Sequence, residues 1–491
     1  MDLCSCEQIL EKKQETKYAY LIHLMKEDVM KRKSFRQKLF AQIGPARLIL
    51  LTFVLVIFIG TVLLMLPFSN AENSASLIDH LFVATTSTCV TGLVPFTVSE
   101  QYSLFGKIVV LCLIQIGGLG LMSIMALLLT ITRHKLSFKE KGVLMDAINR
   151  SSHRDLISFL KSIFLYTLFF EGTGMLLFAF RFVPQFGVAE GLFQSLFLSV
   201  SAFCNAGIDL LGSSSLIAYA DDMLINFTVI FLIITGGLGF AVWFDLRNQS
   251  NGLWKKKYSF RQFWRTLSVH TRIVLISTFA LLSSVTLIFF VLEYSNPMTI
   301  GTMNFPKQLL VSLFQSTTLR TAGFATIDIG ACTRACQFIM LFVMLIGGSP
   351  GGTAGGLKTT TAVLLLLMIK KYMRNEKQAV VMKKSISDSA FEKASLITMT
   401  YTMILIVGIV LLLFVEESDF LSLSFEAFSA LATVGLTCGI TSSLSELGKL
   451  VIIVLMLIGR VGPSTVLLSV LDRNDRTSSE VQYPKAEILI G

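Results

Sequence analysis

Hydrophobic and polar positions in this chain alternate by whole segments rather than by single residues. Apolar runs of about 20 residues, the length that crosses a bilayer as a helix, recur near 47–66, 104–130, 157–182, 222–244, 270–292, 335–368, 394–415 and 447–471. They predict eight membrane spans, with the glycine-interrupted sixth taken as one crossing. Shorter apolar pieces follow the first, third, fifth and seventh spans, near 77–91, 190–206, 307–322 and 421–434. These are too short to cross and predict half-helices that enter the membrane and return. The expected architecture is an all-α polytopic membrane protein.

The polar segments supply the sidedness. Segments 67–103, 183–222 and 416–445 contain no Lys or Arg, whereas 133–161, 245–272 and 370–393 carry seven each and the first 47 residues carry ten. Basic segments stay in the cytoplasm, so both termini are expected inside, in a multi-pass protein of the plasma membrane. This distribution also accounts for the net charge of +10, which is therefore read as topology and not as a nucleic-acid surface. A composition 53% hydrophobic over 491 residues excludes a string of soluble domains. The N-terminal stretch "EKKQETKYAYLIHLMKEDVMKRKSFRQK" is polar and basic, so no cleavable signal peptide is expected. Cys89, Cys112, Cys204 and Cys438 fall within membrane segments, and Cys332 and Cys336, four residues apart on a predicted helix, are expected as free thiols.

The short pieces end in similar phrases. "LFVATTSTCVTGL", "LFLSVSAFCNAGI", "LFQSTTLRTAGF" and "FSALATVGLT" place Gly92, Gly207, Gly323 and Gly435 at separations of 115, 116 and 112 residues. A second landmark follows 25, 29, 24 and 24 residues later: Gly117-Gly118, Gly236-Gly237, Gly347-Gly348 and Gly459-Arg460. The chain thus reads as four copies of one unit, span, half-helix, glycine turn and span, over 47–135, 154–248, 269–371 and 391–471. A basic segment, 1–46, precedes them and a tail, 472–491, follows. All copies share one sidedness, which arranges them around an axis along the membrane normal.

Non-helical backbone at membrane depth is tolerated only where protein buries it or water reaches it. Four glycine turns therefore imply a central pathway. The half-helices deliver their partially negative C-terminal ends to that axis, which favours a cation. Glycine reaches backbone angles closed to other residues and admits carbonyls close to an ion.

One stretch asks for separate explanation. Residues 345–367, "LIGGSPGGTAGGLKTTTAVLLLL", interrupt an apolar span with six glycines and a proline within 347–356. The pattern approaches the phosphate-binding G-x-x-x-x-G-K-[ST], but Leu357 separates Gly356 from Lys358, and no soluble strand precedes it. Nucleotide binding is therefore not expected here.

With "TCVTGL", "CNAGI", "RTAGF" and "TVGLT" at its turns, the chain resembles the Trk/Ktr/HKT superfamily of potassium transporters over nearly its whole length from about residue 45. "GGSPGGTAGGLKTTT", "IGRVGPST" and a short tail ending in "ILIG" make it most similar to the membrane subunit of Ktr-type potassium uptake systems. The resemblance implies one pseudo-tetrameric pore, with carbonyls of Val90 and Thr91, Asn205 and Ala206, Thr321 and Ala322, and Thr433 and Val434, together with the four glycines, coordinating K⁺. It implies a gate formed by Gly347, Gly348, Ser349, Pro350, Gly351, Gly352, Thr353, Ala354, Gly355 and Gly356, with Lys358 near the cytoplasmic mouth. It places Arg460, deep in the last span, beneath the filter against that loop. It further implies a homodimer above a cytosolic ring of nucleotide-binding RCK-type subunits, with no cofactor in this chain and Na⁺ as a candidate activator.

Other intramembrane charges read as structural. Arg320, three residues before Gly323, is expected to brace the filter, and Glu171 to cap or bridge packed helices. The five histidines have no metal spacing, and no acid, base and nucleophile set marks an enzyme. An alternating-access secondary transporter is the competing reading. Such folds usually rest on inverted repeats, whereas these four share one orientation.

Overall fold

The computed structural model describes residues 45–72, 74–120, 156–212, 214–254, 259–463 and 465–466. Almost all of them belong to one folded unit, Ile49–Val466. Helix dominates because backbone polar groups surrounded by lipid must be satisfied within their own segment. In chain order come α1 (Pro45–Met65), α2 (Leu77–Cys89) and α3 (Leu104–Leu119), then α4 (Leu156–Phe186), α5 (Val188–Cys204), α6 (Met223–Gly237) and α7 (Phe240–Trp254). The third set is α8 (Val269–Glu293), α9 (Phe305–Thr318), α10 (Arg334–Leu345) and α11 (Thr359–Met373). A two-stranded hairpin, β1 (Val380–Val381) against β2 (Lys384–Ser385), leads into α12 (Asp388–Val415), α13 (Phe420–Ala432) and α14 (Glu446–Val461).

Two kinds of helix follow from two kinds of surroundings. The long helices α1, α4, α8 and α12 leave large apolar side chains such as Phe58, Phe180, Phe279 and Phe414 exposed, as a lipid-facing surface requires. The half-helices α2, α5, α9 and α13 are buried over most of their length, and their inward ends carry small and hydroxyl residues. Start signals are local. Ser76 and Asp79 form a capping box on α2, and Ser103, Asp222, Thr333 and Ser445 each accept a backbone N–H at the start of α3, α6, α10 and α14.

Among the described residues the second helix of each unit is interrupted earlier than its apolar run predicts. Among the described residues only α1, α4, α8 and α12 contain single stretches long and apolar enough to span. Helices α3, α6, α10 and α14 have 16, 15, 12 and 16 residues. At about 1.5 Å per residue each falls short of a hydrocarbon core of about 30 Å. All four stop at the second glycine landmark. The expected span 222–244 is two helices, α6 and α7, meeting at 93° where Gly239 takes φ +91°. The continuation of the first unit beyond Gly120, the basic residues 121–155 and the tail 472–491 lie outside the described residues.

Packing links the units in a closed cycle. Half-helix α5 lies on α3, α9 on α6, α13 on α10 and α2 on α14, so each half-helix rests on the second helix of the unit before it. The closing contact carries an ion pair, Lys449 Nζ to Asp79 Oδ1 at 2.7 Å, joining α14 to α2. The first glycine of three landmarks permits a different approach, that of the second helix to the half-helix of its own unit. A Cβ at Gly117, Gly236 or Gly459 would collide with the carbonyl of Thr88, Phe203 or Leu431 near the end of a half-helix.

Candidate functional site at the four glycine turns

Each half-helix ends in one conformation. Val90, Asn205, Thr321 and Thr433 adopt left-handed backbone angles, φ 56°, 61°, 66° and 53°, and two residues later Gly92, Gly207, Gly323 and Gly435 again have positive φ. A non-glycine residue held there costs about 1–3 kcal/mol, and such strain concentrates at functional sites. It reverses the chain so that the carbonyls after the helix leave the helical ladder. The reversal is stapled: Thr91 N–H donates to Thr86 O at 2.9 Å, Ala206 N–H to Ser201 O at 2.8 Å, Ala322 N–H to Thr318 O at 2.9 Å and Val434 N–H to Ser429 O at 2.8 Å.

The hydroxyls of those four residues add a second staple. Gly92 N–H donates to Thr86 Oγ1 at 2.9 Å, Ile208 N–H to Ser201 Oγ at 3.1 Å and Gly435 N–H to Ser429 Oγ at 3.0 Å. In the third unit the direction reverses, with Thr318 Oγ1 donating to Phe324 O at 2.7 Å. Sequence reasoning did not single these four out. Their signal was a Ser or Thr five or six residues before every glycine.

The turns meet one another in the same cyclic order as the helices. A Cβ added to Gly92 would stand 2.7 Å from Ala206 O, one on Gly207 2.6 Å from Ala322 O, and one on Gly323 2.7 Å from Val434 O. One on Gly435 would overlap Thr91 O, which closes the ring. Glycine is thus required both by φ and by the neighbouring unit's carbonyl. Among the described residues no backbone N–H donates to the carbonyls of Val90, Thr91, Gly92, Asn205, Ala206, Gly207, Thr321, Ala322, Gly323, Thr433, Val434 or Gly435. The buried side-chain oxygens of Thr88, Thr91, Asn205, Thr321 and Thr433 also lack partners. Buried polar groups are nearly always paired with protein or ordered solvent, so such a cluster of free oxygens marks a place for water or a cation.

Directly against the turns lies the loop 347–356. Gly347 N–H donates to Leu357 O at 2.9 Å and Leu357 N–H to Leu345 O at 3.0 Å, which closes the base of the loop. Its body is fastened to the break between α6 and α7. Ser349 N–H donates to Gly237 O at 2.9 Å, Thr353 N–H to Gly236 O at 3.2 Å, Phe240 N–H to Gly351 O at 3.0 Å and Thr353 Oγ1 to Phe203 O at 3.0 Å. A Cβ at Gly347 would come 3.1 Å from Thr321 Cγ2, one at Gly356 3.2 Å from Ala432 O, and one at Gly355 would overlap the Thr433 hydroxyl. Pro350 and Gly352 occupy the turn between these attachments, while Ser349, Thr353 and Ala354 are fully buried or nearly so.

Arg460 joins this loop to the first unit. Its Nη1 donates to Thr353 O, and its Nη2 to Gly117 O and, at 3.4 Å, to Gly118 O. Lys358 folds back onto the loop, with Nζ donating to Ala354 O at 2.9 Å and Gly355 O at 3.4 Å. Glu171 bridges helices, accepting from Gln115 Nε2 of α3 at 3.4 Å. Arg320 is 94% buried by its 6% exposure, and its Nε has no hydrogen-bond partner among the described residues. Cys332 and Cys336 are free, with Cys332 just ahead of α10 and not on it.

A ring of unpaired oxygens at the ends of four half-helices, in a chain with several membrane-length helices, defines a membrane cation-translocating protein. The family model described as TrkH, cation transport protein, matches residues 13–478, and the chain belongs to that family. It is 38% identical to the Ktr system potassium uptake protein B of Bacillus subtilis over 91% of this chain and 97% of the relative. Its identity to the protein of the same name from Vibrio alginolyticus is 37%, over 91% and 95%. The potassium/sodium uptake protein NtpJ of Enterococcus hirae is 36% identical over 92% and 98%. The crystal structure of the potassium transporter TrkH from Vibrio parahaemolyticus has the same fold, with a TM-score of 0.68 and 18% identity over 85% of this chain and 83% of that one.

Proposed function

We propose that this multi-pass membrane protein carries out potassium uptake, as the membrane subunit of a Ktr-type system. It is a transporter and not an enzyme. The observation that carries the reading is the closed cycle of four strained turns with unpaired carbonyls. In this reading those carbonyls replace the hydration shell of K⁺, and the C-terminal ends of four half-helices add negative potential. An inside-negative membrane supplies about 2.3 kcal/mol per 100 mV for each charge moved inward.

The finer architecture is part of the proposal. Four units surround one pore, both termini lie in the cytoplasm of a cell whose plasma membrane holds the protein, and Val90 to Gly92, Asn205 to Gly207, Thr321 to Gly323 and Thr433 to Gly435 form the filter. The loop 347–356, with Lys358 and Arg460, is the gate below it. The names of the relatives, which place them in a Ktr system, support a membrane subunit that works with a separate cytosolic regulatory subunit. A homodimer above a nucleotide-binding RCK-type ring is the form proposed for that assembly, and the potassium/sodium relative supports a role for Na⁺. The test is expression in a cell stripped of its own potassium transporters, together with the cytosolic partner. Restored K⁺ uptake is the expected outcome. Well-expressed protein at the membrane that leaves uptake at the background rate would overturn the reading.

A further inference from the structure

The third and fourth units each bury a polar side chain that the turns do not use. Glu426 sits in α13, nine residues before Gly435, with no exposed surface. Its Oε1 accepts from the hydroxyls of Thr437 and, at 3.0 Å, Thr441. Those two hydroxyls are 2.9 Å apart, and Thr437 Oγ1 accepts from Gly439 N–H at 2.9 Å. Its Oε2 has no partner among the described residues. A carboxyl placed so deep without a basic partner is costly, and an intramembrane ionisable group is by default a functional one. All of its bonds reach the segment immediately beyond Gly435, so it ties that segment back to the half-helix.

The third unit makes the same connection with a neutral group. Gln315 in α9, eight residues before Gly323, donates from Nε2 to Thr326 Oγ1 at 3.2 Å, while its Oε1 has no partner. The first and second units place Val83 and Ala84, and Leu198 and Ser199, at the corresponding distances from their glycines. Ser199 Oγ turns away to Glu171 O at 2.6 Å. Two of the four turns are therefore tethered from behind by a long polar side chain, and two are not.

We propose that Glu426 is a specificity-determining positioning residue. Through Thr437 and Thr441 it holds the segment after Gly435, so that the carbonyls of Thr433 to Gly435 cannot close inward around an ion smaller than K⁺. This rests on reading the turns as the filter. Since Gln315 does the corresponding work as an amide, the hydrogen bonds are what matter, and the charge is not.

The experiment reconstitutes the full chain and measures the ratio of K⁺ to Na⁺ flux, with size-exclusion profiles as the check on folding. Glu426→Met keeps the length and removes the bonds, and should lower the ratio by about tenfold, in keeping with the loss of one or two buried hydrogen bonds. Glu426→Gln keeps an acceptor for both hydroxyls and should remain within about twofold of the parent. Thr437→Val, a smaller change, should lower the ratio in the same direction and decides the matter if Glu426→Met does not fold. A ratio unchanged in folded Glu426→Met or Thr437→Val, while Gly92→Ser lowers it, overturns the proposal and leaves the filter standing. Loss in Glu426→Gln equal to that in Glu426→Met overturns it too, because charge and not tethering would then be at work. No change in any of these, Gly92→Ser included, overturns the filter assignment and the proposal with it.

Discussion

Gly92 has a backbone φ of +107° and a neighbouring carbonyl, Ala206 O, where its Cβ would be. Both facts are invisible in the phrase "TCVTGL" and both oppose a side chain. Serine there adds strain of about 1–3 kcal/mol and forces the carbonyl of the next unit aside. Gly92→Ser is therefore expected to reduce the K⁺ to Na⁺ flux ratio in proteoliposomes by about tenfold while leaving a folded protein. An unchanged ratio would remove Gly92 from the filter. The glycines stood out in the sequence because four similar phrases repeat. The residues two positions earlier entered the expected filter through the family resemblance, but their left-handed backbone was not legible, since Val, Asn and Thr carry no common side-chain signal for that state.

At the level of elements, the loop between α10 and α11 is held by bonds to other units as well as by its own. Thr353 alone uses its amide, hydroxyl and carbonyl, toward Gly236, Phe203 and Arg460. A charge-assisted bond such as that from Arg460 contributes about 1.5–3 kcal/mol, or roughly ten- to a hundredfold in an open-to-closed equilibrium. Removal of Gly351–Gly355 should raise K⁺ flux through the membrane subunit alone and weaken its dependence on the cytosolic partner. Arg460→Ala should act in the same direction by a smaller factor. The combined variant should fall well short of the product of the two, because both release one constraint. Partner-free flux at the parental level in a folded, K⁺-selective deletion variant would show that the loop is not the gate.

For the whole molecule, sidedness rests on where the basic segments lie. Single cysteines at Glu72 and Ser443, in a background free of other cysteines, should react with an impermeant thiol reagent added to intact cells. One at Ser259 should react only after the membrane is opened. All three positions are exposed, so accessibility of the side chain does not confound the result. Labelling of the Ser259 variant from outside, or protection of the other two, would invert the arrangement.

Apolar length and repeated glycine phrases were enough to place the half-helices within four residues, to identify the family and to mark residues 347–356 as a break. Those features are local, and helix formation in lipid depends on local hydropathy and hydrogen bonding. Hydropathy was blind to the end of α6, because "ITGGLGFAVWF" is apolar on both sides of the 93° bend. The cyclic order of the turns, the partners of Arg460 and the tether at Glu426 were decided only in three dimensions. The tether reaches 11 and 15 positions along its own unit, whereas the other two join residues from different units, such as Arg460 and Gly117, 343 positions apart. Such pairings arise when one half-helix packs on the second helix of the unit before it, and no pattern within either segment encodes that contact.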